Sequence, residues 1–222
     1  MNEPIRPNSP DDPRLAPYMN LRERTLRGQS LFIAEGSLVV ERLLRSPWSV
    51  ESVCMTNAAW QRCTFRDLLC DLPVYIIDDK VAMDTIVGFE FHQGILALGK
   101  CQQLPNCVEG VLASDPTARG AWVVLPRATK PDNLGLAFRS AAALHAKGVL
   151  LGQQCCDPFS RRALRVSMGG VLQVPVFKAV DLGNELATLR KTLNMTVYAT
   201  ILDDTARSLY TKTQWSEQTF FL

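Results

Sequence analysis

Two stretches of the chain carry residue types that bind and align an anionic substrate. The first is KPDNLGLAFRS, in which Asn133, Gly135 and Arg139 follow one another at short intervals. The apolar run AWVVLP (121–126) precedes it, so the polar turn falls at a strand end and a helix begins near Asn133. Asp132 or Asn133 would cap that helix by accepting a backbone N–H, and Gly135 would let a ligand approach its first turn. Arg139 lies one to two turns further on. It would project from the same end of a sheet, the end at which open α/β sheets bind ligands. An ordinary cap and a solvated helix arginine have the same letters, and this stretch alone leaves both readings open. Gly135 stands by itself, so there is no G-x-G-x-x-G dinucleotide turn.

The second stretch is DPFSRRALRVSMGGVLQVPVF (157–177). Ser160 would cap a helix bearing Arg161, Arg162 and Arg165. Three guanidiniums so close together suit phosphate, although a solvated basic face is written the same way. Ser167, Gly169 and Gly170 then interrupt the helix, where bare backbone could touch a ligand.

The elements that must position these residues alternate. Strands are expected at 31–36, 50–56, 74–78 and 94–100, with helices over 37–46, 58–72 and 79–88 between them. That predicts a small α/β domain with a largely parallel sheet over 20–100. Residues 101–119 lose periodicity and read as a linker. From 120 to 222 the alternation resumes. Strands are expected at 121–126, 148–152, 173–177, 196–202 and 218–222, and helices at 133–146, 160–170 and 183–195. The strands are short and continuously apolar, as in a sheet covered on both faces.

Composition excludes more than it selects. The opening MNEPIRPNSPDDPRLAP holds five prolines and no apolar h-region, so residues 1–19 read as a disordered leader and not a signal peptide. No apolar run is long enough to span a membrane. Seven cysteines without a C-x-x-C pair argue against a disulfide framework and a zinc ribbon, and two histidines exclude a histidine-rich metal site; no metal is expected. A reducing cytoplasm is the expected compartment. The formal net charge is +2, with residues 108–222 holding 13 Lys/Arg against 9 Asp/Glu, an excess that permits phosphate partners without requiring them.

Taken together, KPDNLGLAFRSAAALHAKGVLL and DPFSRRALRVSMGGVLQVPV closely resemble the SpoU/TrmH branch of the SPOUT RNA methyltransferases. LFIAEGSLVVERLL and FHQGILALGK resemble the RNA substrate-binding domain that precedes the catalytic domain in that family. The resemblance covers about residues 20–222. It implies an α/β-knot domain with a mainly parallel sheet and transfer of a methyl group from S-adenosylmethionine to a ribose 2′-hydroxyl of tRNA or rRNA. It also implies a homodimer. Asn133 and Arg139 fall on the family's first catalytic motif. A guanidinium is too weakly acidic to serve as a base, so Arg139 is expected to bind the phosphate beside the target ribose and stabilise the developing 2′-alkoxide, with Asn133 orienting either. Arg161, Arg162 and Arg165 are the expected RNA contacts, and Ser167 and Gly169 the expected cofactor contacts.

The family's glycine-rich turn and its Ser-Leu-Asn segment lie C-terminal to these motifs, and here QTFFL is followed by nothing. The expectation is therefore a C-terminally truncated member with an incomplete knot domain, weak S-adenosylmethionine binding, and Phe220, Phe221 and Leu222 exposed on an unfinished sheet. The alternatives are a catalytically inactive homologue that at most binds RNA, and an enzyme completed by a partner chain.

Overall fold

In the computed structural model, which describes residues 3–21, 30–115, 117, 119–201, 203, 206, 208 and 216–222, the alternation of strand and helix builds two sheets. They belong to two units, Met1–Gln103 with Phe159–Gln173, and Leu104–Pro158 with Val174–Leu222.

In the first unit β1 (Leu31–Glu35), β2 (Val50–Thr56), β3 (Val74–Ile77) and β4 (Ile95–Lys100) form a sheet of order β1-β4-β2-β3. The largely parallel sheet expected here is corrected: only β2 and β3 are parallel, and β4 runs antiparallel to both β1 and β2. Residues 88–94 deliver the chain to the carboxyl end of β2, where the Thr56 N–H donates to the Gly94 carbonyl at 2.9 Å, so β4 must run back. Helices α1 (Ser37–Leu44), α2 (Asn57–Arg62) and α3 (Lys80–Val87) fill the crossovers. The helix read over 58–72 stops at Arg62 and resumes as a 3-10 turn at Arg66–Leu69.

The leader is ordered where it is described. Ile5 bridges to the sheet edge through its N–H to the Val74 carbonyl (2.8 Å) and its carbonyl to the Ile76 N–H (2.9 Å). Pro13–Tyr18 form a 3-10 helix capped by Asp12, whose carboxylate accepts the Arg14 N–H. Prolines that look like disorder in the sequence preset φ for that turn, and Leu15 and Tyr18 bury completely beneath it. The Tyr18 hydroxyl meets Ser52 Oγ at 2.7 Å. Tyr18→Phe is therefore expected to cost about 1–3 kcal/mol, because Ser52 is left buried without that partner. Urea denaturation checks this; an unchanged midpoint would mean that the leader is undocked.

In the second unit β5 (Gly120–Leu125), β6 (Gly148–Leu151), β7 (Val176–Lys178), β8 (Thr196–Tyr198) and β9 (Gln218–Phe221) form a wholly parallel sheet of order β7-β6-β5-β9-β8. Trp122, Phe177 and Phe220 pack at its centre, with the Trp122 ring 6.0 Å from each phenylalanine. The expected exposure of the last strand is corrected for Phe220. β9 lies between β5 and β8, and Phe220 is fully buried. The strand read over 196–202 ends at Tyr198, and Leu202 lies outside the described residues.

Two helices flank the sheet, α5 (Pro131–Ala143) and α7 (Leu182–Leu193), and a third lies in the stretch read as a linker. This is α4 (Cys107–Ser114), capped by the Asn106 side chain at 2.9 Å from the Val108 N–H, with Cys107 and Val111 buried. Among the described residues no helix is long and apolar enough to cross a membrane. All seven cysteines are free, and burial pushes the Cys54 and Cys107 thiols up to about 12, Glu185 adding to the shift at Cys107. Such thiols are core side chains, not nucleophiles.

Candidate active site

Helix α5 starts earlier than its sequence suggests. Lys130 is the extended N-cap residue and makes no side-chain cap bond, and Pro131 occupies the first turn. A residue before proline is held extended, and proline gives up no needed N–H at this position. Asp132 and Asn133 thus lie inside the first turn, so Asn133 is not the capping residue. Leu134, Gly135, Phe138 and Ala141 form the buried face. Asn133 and Arg139 are exposed, and neither side chain is bonded to any described residue.

The turn that leads into α5 is pinned from beneath. The Gly152 N–H donates to the Leu125 carbonyl at 2.9 Å, and the Cys156 N–H to the Ala128 carbonyl at 2.8 Å. The buried Cys155 thiol donates to the Leu125 carbonyl at 3.1 Å and accepts the Ala128 N–H at 3.3 Å. A side chain at Gly152 would collide with the Pro126 carbonyl oxygen, so only glycine allows this approach. The result is a fixed turn presenting Arg127 and Lys130, both exposed and unbonded among the described residues. Sequence reading passed over these two cations, although their signal was visible: two basic residues in a strand-to-helix turn. The turn follows β5, which has β6 on one side and β9 on the other. The strand order reverses here, and the carboxyl end of such a position is the usual ligand crevice of an open parallel sheet.

The second group of expected site residues belongs to the first unit. Helix α6 (Arg161–Val166) is capped by Ser160, whose Oγ accepts the Ala163 N–H at 3.4 Å. Arg165 donates to Glu35 Oε1 at 3.2 Å, and Arg161 Nη1 lies 3.6 Å from Glu35 Oε2. The Glu35 side chain is only 4% exposed, so β1 ends on a carboxylate held between two guanidiniums. Burial pulls the Arg161 pKa below the usual guanidinium value, against the opposing pull of Glu35. The Arg161 guanidinium also lies over the Phe89 ring, 4.6 Å from its centroid. Arg162 is exposed.

Ser167 and Gly169 close α6. The Ser167 hydroxyl is buried and donates to the Leu164 carbonyl at 3.0 Å, and its N–H reaches the Ala163 carbonyl at 2.9 Å. The Gly169 N–H donates to the Leu164 carbonyl at 2.9 Å, and its φ of 81° requires glycine. Met168, between them, offers its carbonyl to Arg42 Nη1 at 2.6 Å. With these donors committed inside their own turn, Ser167 and Gly169 do not fit as hydrogen-bond donors to S-adenosylmethionine. Asn133 and Arg139 thus lie in one unit, and Arg161, Arg162, Arg165, Ser167 and Gly169 in the other.

Comparison with known proteins gives this geometry a context. Residues 120–222 match the model of the SpoU rRNA Methylase family. A tRNA/rRNA methyltransferase of Mycobacterium bovis, itself uncharacterised, is 35% identical over 189 residues, 82% of this chain and 63% of its own length. A 23S rRNA (guanosine-2′-O-)-methyltransferase of Acinetobacter baylyi is 25% identical over 125 residues, 56% of this chain and 50% of its own. Among solved structures, an AdoMet-bound rRNA methyltransferase from Sinorhizobium meliloti superposes with a TM-score of 0.75, covering 98% of this chain and 79% of that one. At 22% identity that likeness is one of fold. The chain thus spans about 63% of the length of the mycobacterial relative.

Proposed function

We propose, from the match of residues 120–222 to the SpoU rRNA Methylase family, that the chain is a member of that family and methylates a ribose 2′-hydroxyl of tRNA or rRNA with S-adenosylmethionine as donor. The observation that carries this reading is the pair Asn133 and Arg139. Both are exposed and unbonded among the described residues, on the helix that follows β5. A side chain held free in this way costs the fold nothing and is available to substrate.

When bound, S-adenosylmethionine supplies an electrophilic methyl group. The residues of this chain supply position and charge. Arg139 holds the phosphate beside the target ribose and stabilises negative charge as it develops on the 2′-oxygen. Asn133 offers an amide that donates and accepts, enough to fix the ribose against that guanidinium. Arg127 and Lys130, on the turn into the same helix, hold flanking phosphates, and Arg162 and Arg165 of the other unit contact RNA phosphates in their own right. A homodimer and a cytoplasmic location belong to the same proposal, the latter supported by seven free thiols.

If these four cations and Arg139 each neutralise one phosphate, RNA affinity falls about 100-fold between 50 and 200 mM salt. Filter binding across that range checks the slope, and a flat response would remove the phosphate contacts. The activity itself is tested by incubating the protein with labelled S-adenosylmethionine and tRNA or rRNA transcripts. Label in RNA supports the reading. RNA binding without label would leave an RNA-binding homologue and overturn the enzyme.

A further inference from the structure

The first unit contains a cavity of about 330 Å³ lined by Glu35, Phe89, Phe91, His92, Arg161 and Arg165, with Glu90 and Gln93 at the same wall. That volume lies at the small end for ligand pockets, with room for one planar ring system and little more. Two guanidiniums and two carboxylates line it, and both guanidiniums, Arg161 and Arg165, are already paired with Glu35. An incoming phosphate would gain little from such a balance. A flat uncharged ligand gains more, because Arg161 is locked as a plane. Glu35 Oε2 lies 3.6 Å from its Nη1, and the Phe89 ring packs 4.6 Å from its Cζ. Both Glu35 Oε2 and Arg161 Nη1 are buried without a hydrogen bond, so ion pairing, not solvent, holds the pair in place. Phe89 is itself braced edge-on by Phe91, with ring centroids 6.1 Å apart.

We propose that this cavity seats one unpaired base of the RNA, stacked against the Arg161–Phe89 pair and bordered by the Gln93 amide. Single-stranded RNA is bound in this way elsewhere, by splaying bases onto aromatic rings and guanidinium planes. The proposal rests on the RNA reading above and turns Arg161 from a phosphate contact into a base contact. Arg165, 44% exposed at the mouth, remains the nearest cation for the adjoining phosphate.

The test uses two uridine hexamers that differ at one central position, one carrying 2-aminopurine and the other an abasic residue. The intact protein is expected to bind the 2-aminopurine strand about tenfold more tightly and to quench its fluorescence. Phe89→Leu keeps an apolar wall and is expected to reduce that preference to less than twofold; Arg161→Lys, which keeps the charge and loses the plane, should do the same. Equal affinity of the unaltered protein for both strands would overturn the base pocket while leaving the RNA reading intact. Competition by inorganic phosphate with no loss in Phe89→Leu would also overturn it, in favour of an anion site. Failure to bind either hexamer or a tRNA transcript would remove both readings together.

Discussion

Arg139→Ala is expected to lower methyl transfer by about 10²–10³-fold, the loss seen when one preorganised charge-stabilising donor is removed from a transition state. The melting curve should not move, because Arg139 is exposed and bonded to no described residue, while the buried face of α5 is made by Leu134, Gly135, Phe138 and Ala141. Arg139→Lys separates charge from geometry. It keeps a cation but loses the planar fork that grips phosphate with two parallel N–H groups, so it should recover only part of the rate. Single-turnover kinetics with saturating cofactor reads both variants. If Arg139→Ala kept its rate within a factor of a few, the charge-stabilising role would be removed and Arg139 would become the solvated helix arginine that its sequence equally allows.

Glu35→Ala is expected to be the most damaging single change to stability, costing about 3–5 kcal/mol by leaving a buried guanidinium without its counter-charge. A typical domain has only about 5–15 kcal/mol in total, so the first unit would lose a large share of its margin. Arg161 bears the loss, being half-buried and with burial already working against its charge. Arg165, more exposed, finds water instead. The double change Glu35→Ala with Arg161→Leu removes both charges of the pair and should recover a good part of the stability, since no buried guanidinium is left without its counter-charge at Arg161. The cavity left by Ala accounts for the remainder. Urea denaturation of the two single variants and the double gives the coupling directly. Independent, additive losses would show that the two side chains do not depend on each other.

What the sequence made legible, and what it hid, follows from which forces leave a local trace. The second unit's strands are continuous apolar runs, and AWVVLP, GVLL and QTFF all became parallel strands of one sheet. The direction of β4 left no such trace, because alternation of strand and helix does not record which end of the sheet the chain re-enters. The leader misled for a related reason. Its prolines and acidic residues resemble disorder, yet Ile5, Leu15 and Tyr18 are enough to dock it once a sheet edge is present. Helix α4 was hidden by Pro105, Asn106 and Gly110, although Cys107 and Val111 sit at the helical spacing that buries them.

At the site, Asn133 and Arg139 were legible as residue types, but their freedom was not. It depends on Pro131 starting α5 early enough that Asn133 lies inside the first turn and not at its N-cap. Glu35 was invisible as a partner for α6, because 126 residues separate it from Arg161 and only folding brings them together. Arg127 and Lys130 gained their significance from the clamp of Gly152, Cys155 and Cys156 beneath their turn, a long-range feature with no local signature.

The central claim is that the methyl group goes to a ribose oxygen. Nuclease digestion of RNA treated with the protein and S-adenosylmethionine, followed by mass spectrometry of the nucleosides, reads the position directly. The account predicts a 2′-O-methylnucleoside, resistant to alkali when still in the strand and absent with Arg139→Ala. A methyl group found on a base with the ribose untouched would contradict it.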